Sequence, residues 1–198
     1  MNADRPRIVA RRRIYKGWNS FDILTVEATD ADGTRRKHER EIVDHGDAAV
    51  VLAIDRGRGV AILVRQWRPA LLEGDTDPYL LEACAGLIDS GETPEEAARR
   101  EALEETGLTI GALRKIATIL PAAGTFTERM HLFVAEVSAD DRRAQGGGNP
   151  HEGERIEIVA VPLKNLFAMA RRGEIEDAKT LVLVQALMIE ALEQPGSA

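Results

Sequence analysis

A chain of 198 residues, 44% hydrophobic and 30% charged, has the length and balance of one globular domain with room for a small appendage, and is not that of a disordered chain. Its formal charge of −7 argues against nucleic-acid binding, which needs a basic face, and no apolar run reaches the ~18 residues of a membrane span. The single cysteine, Cys84, excludes an intrachain disulfide and is expected to be a buried small residue. The basic N-terminus carries no signal-peptide pattern, so a cytoplasmic location is expected.

The first third of the chain is β-rich. Apolar, β-branched runs at 7–15 and 20–28 predict two strands, and Asp32-Gly33 predicts a two-residue hairpin turn into a third strand over 34–43. That third strand is charged along most of its length. It has no face of its own to bury, so it is expected to meet a ligand, solvent or another subunit. Two stronger strands follow at 48–54 and 59–67, joined by a hairpin turn at 55–58, and a loop rich in Asp, Gly and Pro leads to a short strand at 79–83. Beyond the segment 86–108, strands are expected near 113–120, 130–138 and 155–162. A mobile loop with three consecutive glycines spans 138–153, and helices lie near 163–172 and 179–193. The second helix sets Leu181, Val184, Leu187 and Met188 at helical spacing, a face for packing on a sheet. Interleaved strands and helices, without internal repeats, make an α/β layered sandwich.

Segment 86–108 is the most informative. Thr93 is a good N-cap, Pro94 suits the first helical position, Glu96 completes a capping box and Gly107 is a natural stop, which predicts a helix over 94–106. Its alanines, Ala97, Ala98 and Ala102, allow close approach to a neighbour. Glu96, Arg100 and Glu104 form a mixed-charge stripe, as do Glu95 and Arg99. Glu101 and Glu105 share a face, and none of their neighbours at three and four residues is basic. Like charges so placed destabilise a helix by roughly 0.2–0.5 kcal/mol. Either the face is simply solvated, or a divalent cation sits between the carboxylates; oxygen-only ligands then point to Mg²⁺, with Mn²⁺ as the second choice.

The same segment resembles the Nudix box, matching it at Gly86, Glu92, Arg100, Glu101, Glu104, Glu105, Gly107 and Leu108, with Ala102 smaller than the usual aliphatic. The resemblance implies a Nudix α/β/α sandwich with a mixed sheet and a magnesium-dependent pyrophosphohydrolase. Glu101 and Glu105 would bind metal with the carbonyl of Ala85, Glu104 would be a further ligand, and Arg100 would pair with Glu92. Longer stretches at 63–68, 81–89, 127–136, 146–148 and 171–180 resemble the GDP-mannose hydrolase branch, next to the ADP-ribose pyrophosphatases. That likeness implies a nucleotide-sugar substrate and a homodimer exchanging a small antiparallel β-domain (1–45) beside the hydrolase domain (46–198). Trp18, Glu39, Arg40 and Glu41 would then reach the partner's site, with plain packing as the alternative for Trp18. Arg68 and Lys179 would meet phosphates, against surface or structural pairing. Ala85, Gly86 and Leu87 would line the substrate, and Glu128 would touch substrate or metal.

For the general base and further metal ligand, the register of Glu154-Arg155-Ile156-Glu157 favours Glu154, with Glu152 as the alternative. Where both branches carry Pro-Gly after the strand that follows the box, this chain has Ala122-Ala123-Gly124, with Pro121 displaced, which weakens either substrate equally. The rival readings are an ADP-ribose pyrophosphatase and a catalytically silent Nudix-fold binding module. The intact Arg100-Glu101 and Glu104-Glu105 pairs argue against the second.

Overall fold

A computed structural model describes residues 5–75, 77–149 and 153–193. It divides into two compact units: residues 1–47 with 120–129, and residues 48–119 with 130–198. The first unit holds β1 (Arg7–Lys16), β2 (Ser20–Thr29) and β3 (Arg35–Asp44), an antiparallel sheet in the order β1-β2-β3. The link between β2 and β3 is longer than the expected two-residue turn. Residues 30–34 form it, closed by bonds from Gly33 N–H to Asp30 O and from Asp30 N–H to Thr34 O, and Gly33 sits at φ +79. This sheet has scarcely any core. Leu24 is buried, and beside it Asp22 is buried under Arg11 and Arg13, while Ile8, Val9, Ile14 and Tyr15 of β1 are exposed.

The second unit is built on β4 (Ala48–Asp55), β5 (Val60–Trp67), β6 (Tyr79–Glu82), β7 (Cys84–Leu87), β8 (Leu113–Ile119), β9 (Met130–Glu136) and β10 (Glu157–Pro162). The order β10-β5-β4-β9-β8 is mixed, because β4 and β9 run parallel while the other pairs are antiparallel. β4 is buried along its whole length, since both its faces are covered. Val50, Leu52 and Ile54 meet α2 (Leu163–Arg172) and α3 (Ala178–Glu193) through Leu166, Leu183, Val184 and Leu187. Ala49, Val51 and Ala53 meet Ala97, Ala98 and Ala102 of the box helix on the opposite side. The result is the expected α/β/α sandwich, with Leu181 and Met188 also packed against the α3 side. Among the described residues no helix is long and apolar enough to cross a membrane.

The short strand expected over 79–83 ends at Glu82, and a further strand that the sequence did not announce follows at once. Residues 79–82 pair with β5 and residues 84–87 with β4, so the chain switches partner at Ala83. The Ala83 N–H, left without a strand partner, donates to Thr180 Oγ1 of α3 at 2.6 Å. This junction sets the site, because it delivers Glu82 to one pairing and Cys84–Leu87 to the next.

Candidate active site

The box helix starts as the residues dictate. Thr93 accepts from Glu96 N–H, Glu96 answers on Thr93 N–H at 2.8 Å, and Pro94 opens α1 (Pro94–Glu101). From Ala102 to Thr106 the helix widens into a π-turn, and Gly107 ends it at φ +74. Such π-turns are rare and gather at functional sites.

Arg100 organises the carboxylates differently from a surface stripe. Its Nε and Nη2 each lie 3.0 Å from Glu92, Nη2 also donates to Leu87 O at 2.9 Å, and Nη1 donates to Glu101 at 2.6 Å and reaches Glu104 at 3.5 Å. The Glu92–Arg100 pair is therefore present. Three expectations need correction. Glu96 spends its carboxylate on the Thr93 cap rather than on Arg100, and Glu101 does have a cation beside it, its own neighbour Arg100. Arg99, likewise, turns to the backbone carbonyls of Glu95 and Gly111 instead of pairing with the Glu95 side chain. A helix surface is not the only partner on offer when a loop packs across it.

Glu105 differs again. It is 1% exposed, it accepts Ala85 N–H at 3.2 Å and the Cys84 thiol, and no cation touches it among the described contacts. Burial pushes its carboxyl up to about 8, helped by the charges of Glu101 and Glu154. Burial likewise lifts Glu101 to about 6, against the pull of Arg100 and with the push of Glu104 and Glu154. Gly86 explains itself here: a Cβ on it would collide with the Glu101 carboxylate. Ala85, Gly86 and Leu87 all lie on β7, against this acidic group.

Glu154 accepts Asn149 N–H at 2.8 Å, and its charge is felt at both Glu101 and Glu105. The alternative base, Glu152, lies outside the described residues. Among the described residues no three His, Cys, Asp or Glu side chains are gathered as a metal-holding group; Arg100 draws on Glu101, Ala85 and Cys84 on Glu105, and Asn149 on Glu154. The donor chemistry nevertheless fits a hard divalent cation. The donors are oxygens, and burial first, with the neighbouring carboxylate charges after it, raises Glu101 and Glu105 in a way that a bound cation would relieve.

A second polar cluster lies in the same unit. Arg68 donates through Nε and Nη2 to Glu82 at 2.7 and 2.8 Å, Lys179 also closes on Glu82, and Lys179 donates to Asp177 at 2.8 Å. Burial alone would raise the Glu82 carboxyl; the hydrogen bonds from Arg68 and the charges of Lys179 and Arg68 outweigh it and hold the group below its ordinary range. Arg68 and Lys179 thus carry an internal carboxylate. Sequence reasoning passed over Glu82, although a lone acid in the run Tyr79-Leu80-Leu81-Glu82-Ala83 was the available signal.

The remaining site candidates belong to the first unit. Trp18, in the turn between β1 and β2, is 76% exposed, so plain packing within its unit does not account for it. Glu39, Arg40 and Glu41 are exposed on β3, where Arg40 donates to Glu39 O at 2.7 Å. Glu128 is buried in that unit with its carboxylate 3.6 Å from His45 Nε2.

The fold and the box together define a class. The model of the NUDIX domain matches residues 44–184, and the chain belongs to the Nudix family of pyrophosphohydrolases. It is similar to the GDP-mannose pyrophosphatase of Klebsiella pneumoniae subsp. pneumoniae, 38% identical over 191 residues, covering 96% of this chain and 95% of that protein. It is also similar to the GDP-mannose pyrophosphatase of Cronobacter sakazakii, 39% identical over 170 residues, or 85% of this chain and 87% of that one. Among solved structures, the crystal structure of an ADP compounds hydrolase superposes over the whole of both chains with a TM-score of 0.74 at 23% identity, a likeness of fold.

Proposed function

We propose that this enzyme hydrolyses the diphosphate of a nucleoside diphosphate sugar, GDP-mannose foremost, to GMP and mannose 1-phosphate, with Mg²⁺ or Mn²⁺ as cofactor. The observation that carries the reading is the convergence of Glu101, Glu105 and Glu154 on one another's charge without a cation on Glu105. The similarity to GDP-mannose pyrophosphatases along nearly the whole chain supports the substrate.

Glu101, Glu105 and Glu154, with Glu104 and the Ala85 carbonyl, would hold the cation. A divalent ion in such a setting neutralises phosphoryl oxygens and acidifies a water. Arg100 orients Glu101 and braces it against Glu92 and Leu87 O. Glu154 takes the proton of the attacking water. Arg68, fixed by Glu82, and Lys179 offer positive charge to the phosphates, while Gly86 and Leu87 line the substrate on β7. The exposed apolar residues of β1, Ile8, Val9, Ile14 and Tyr15, and the scant core of its sheet support a homodimer in which the N-terminal unit is covered by a second copy. In that dimer Trp18, Glu39, Arg40, Glu41 and Glu128 would serve nucleotide and sugar.

A hydrolysis panel tests this. GMP released from GDP-mannose is compared with AMP released from ADP-ribose, with Mg²⁺ and with Mn²⁺, beside Glu105→Gln. We expect GDP-mannose to be the faster substrate and the variant to lose on the order of 10²-fold or more while staying folded. Faster turnover of ADP-ribose would reassign the substrate, and a near-normal rate for Glu105→Gln would remove that residue from the chemistry.

A further inference from the structure

The run Gly146-Gly147-Gly148 takes no part in the chemistry above, yet among the described residues it is the one place where consecutive residues all lie at positive φ. All three residues lie at positive φ, +73, +106 and +84, a region that L side chains rarely enter. The sequence suggested a mobile loop. The structure instead anchors this part of it at both ends.

On one side the run docks on the end of the box helix. Gly147 N–H donates to Glu105 O at 2.8 Å and Gly148 N–H to Glu104 O at 3.1 Å, while Arg143 and Ala144 both donate to Gly107 O. These are the carbonyls that a helix leaves without partners at its C-terminal end. The approach is so close that a Cβ on Gly146 would lie 2.8 Å from Glu105 O and 2.7 Å from the Thr106 carbonyl carbon. Gly107, facing it across the contact, has equally little room, for a Cβ there would run into Ala144 O.

On the other side the same run holds Glu154. Ile156 N–H donates to Gly147 O at 3.2 Å, Glu154 N–H to Asn149 O at 3.3 Å, and Asn149 N–H to the Glu154 carboxylate at 2.8 Å. A Cβ on Gly148 would lie 2.8 Å from Glu154 Oε2, 2.9 Å from Glu154 Cβ and 2.9 Å from Ile156 Cδ1. Within four residues, then, the chain bonds the peptide groups of Glu104 and Glu105 and the side chain of Glu154. Gly146 has no room for a side chain because backbone packs on backbone there, and Gly148 has none because the side chains of Glu154 and Ile156 fill the space.

We infer that Gly146–Gly148 is a clasp that fixes the Glu154 carboxylate relative to the Glu101–Glu105 face, with Gly148 as the positioning residue for that carboxylate. This rests on the reading of Glu154 as the base given above. The clasp replaces side-chain packing with peptide hydrogen bonds, so the loop and the helix move as one body. A base set on a loop of its own would lose that registry.

The test compares Gly148→Ala with Gly153→Ala, using the wild-type enzyme's faster substrate of the panel and Mg²⁺. Both glycines sit at positive φ, +84 and +75, but a Cβ on Gly153 meets nothing within 4 Å. Backbone strain is therefore shared and displacement of Glu154 is not. We expect Gly148→Ala to lower kcat by on the order of 10²-fold, with KM changed by less than about twofold, and Gly153→Ala to stay near wild type. Combined with Glu154→Gln, Gly148→Ala should add no further loss, because the group it displaces is already gone.

The clasp is overturned if Gly148→Ala keeps its kcat, if Gly153→Ala loses as much, or if the two losses multiply. In those cases a slow Glu154→Gln still upholds Glu154 as base. A full rate for Glu154→Gln removes the base itself and the clasp with it, which is a separate and recognisable result. Should Gly148→Ala not fold, amide exchange in the wild type decides. Slow exchange at Gly147 and Gly148, matching that of the box helix, supports the clasp, and exchange at the rate of a free loop overturns it.

Discussion

Glu82 receives Arg68 through two parallel hydrogen bonds, Nε to Oε1 at 2.7 Å and Nη2 to Oε2 at 2.8 Å, and Lys179 closes on that same Oε2. The carboxylate is 1% exposed and Lys179 is 7% exposed, so one buried anion holds two cations that come from residues 14 and 97 positions away. Removing the charge by Glu82→Gln would leave Lys179 with Asp177 as its remaining anion and Arg68 without a hydrogen-bonded carboxylate, facing at most one neutral amide oxygen. Breaking such a buried pair costs roughly 3–5 kcal/mol, and the access of Arg68 to solvent places this case at about 3 kcal/mol. Denaturant melts of the two proteins measure it. A loss below about 0.5 kcal/mol would mean that the cluster is not a structural unit.

The pH dependence of stability has two opposite parts. Glu105 is raised to about 8, so the folded protein holds a proton there that the unfolded chain, with a carboxyl near ~4.3, has released. Its contribution is complete below pH ~4.3 and is lost as pH rises through about 8. Glu82 is lowered, so its contribution is complete above the unfolded carboxyl pKa and is lost in acid, as pH falls through the folded value. Asp22, Glu27, Asp30 and Glu92 are lowered too and act in that same acid window. With chelator present, the Tm should therefore fall between about pH 5 and pH 8, and Glu105→Gln should flatten that fall. Added Mg²⁺ should restore stability most at the alkaline end, where Glu105 is ionised. A Tm that rises steadily over this range in chelator would contradict the assignment.

Legibility followed the range of the interactions. The box helix was readable to the residue at its start and stop, because Thr93, Pro94, Glu96 and Gly107 act within one turn of themselves. β4 was readable because a run buried on both faces is continuously apolar. The π-turn at Ala102–Thr106 was not, since it depends on packing around the end of the helix rather than on propensity. Nor was the switch of partner at Ala83, which needs Thr180, 97 residues on. Helical spacing offered Arg100 both Glu96 and Glu104, and of the two only Glu104 meets it, while Glu92, the partner implied by the resemblance, and Leu87 O at the end of β7 take the place of Glu96. The box carboxylates were found by their pattern, whereas Glu82, the acid that binds the cations, emerged only from the fold.

Gly86 faces the Glu101 carboxylate so closely that any Cβ would displace it. Gly86→Ala should therefore move Glu101 off Arg100 Nη1 while leaving the β4–β7 pairing at Ala49 intact. Misplacing a group by about 1 Å can cost on the order of 10²-fold in rate, and we expect a kcat loss of that size with a Tm shift of only a few degrees. Steady-state kinetics beside a thermal melt separate the two effects. Wild-type kcat in Gly86→Ala would show that the side chain of Glu101 can yield without consequence, and its place in the chemistry would fall.

Trp18 supplies the sharpest test of the first unit. Its side chain is 76% exposed, so Trp18→Ala removes no contact in the core of its unit and should change stability by less than about 0.5 kcal/mol. If the indole stacks on the nucleotide base, the loss is on the order of 1–3 kcal/mol of binding, which is a rise in KM of roughly 5- to 150-fold with kcat held. Sedimentation of the variant is measured alongside, because the same indole could instead lie in the interface of a dimer. A raised KM in a variant that still sediments as the wild type assigns Trp18 to substrate. A raised KM that appears only as the variant dissociates assigns it to the subunit contact, and an unchanged KM in an intact assembly removes it from both roles.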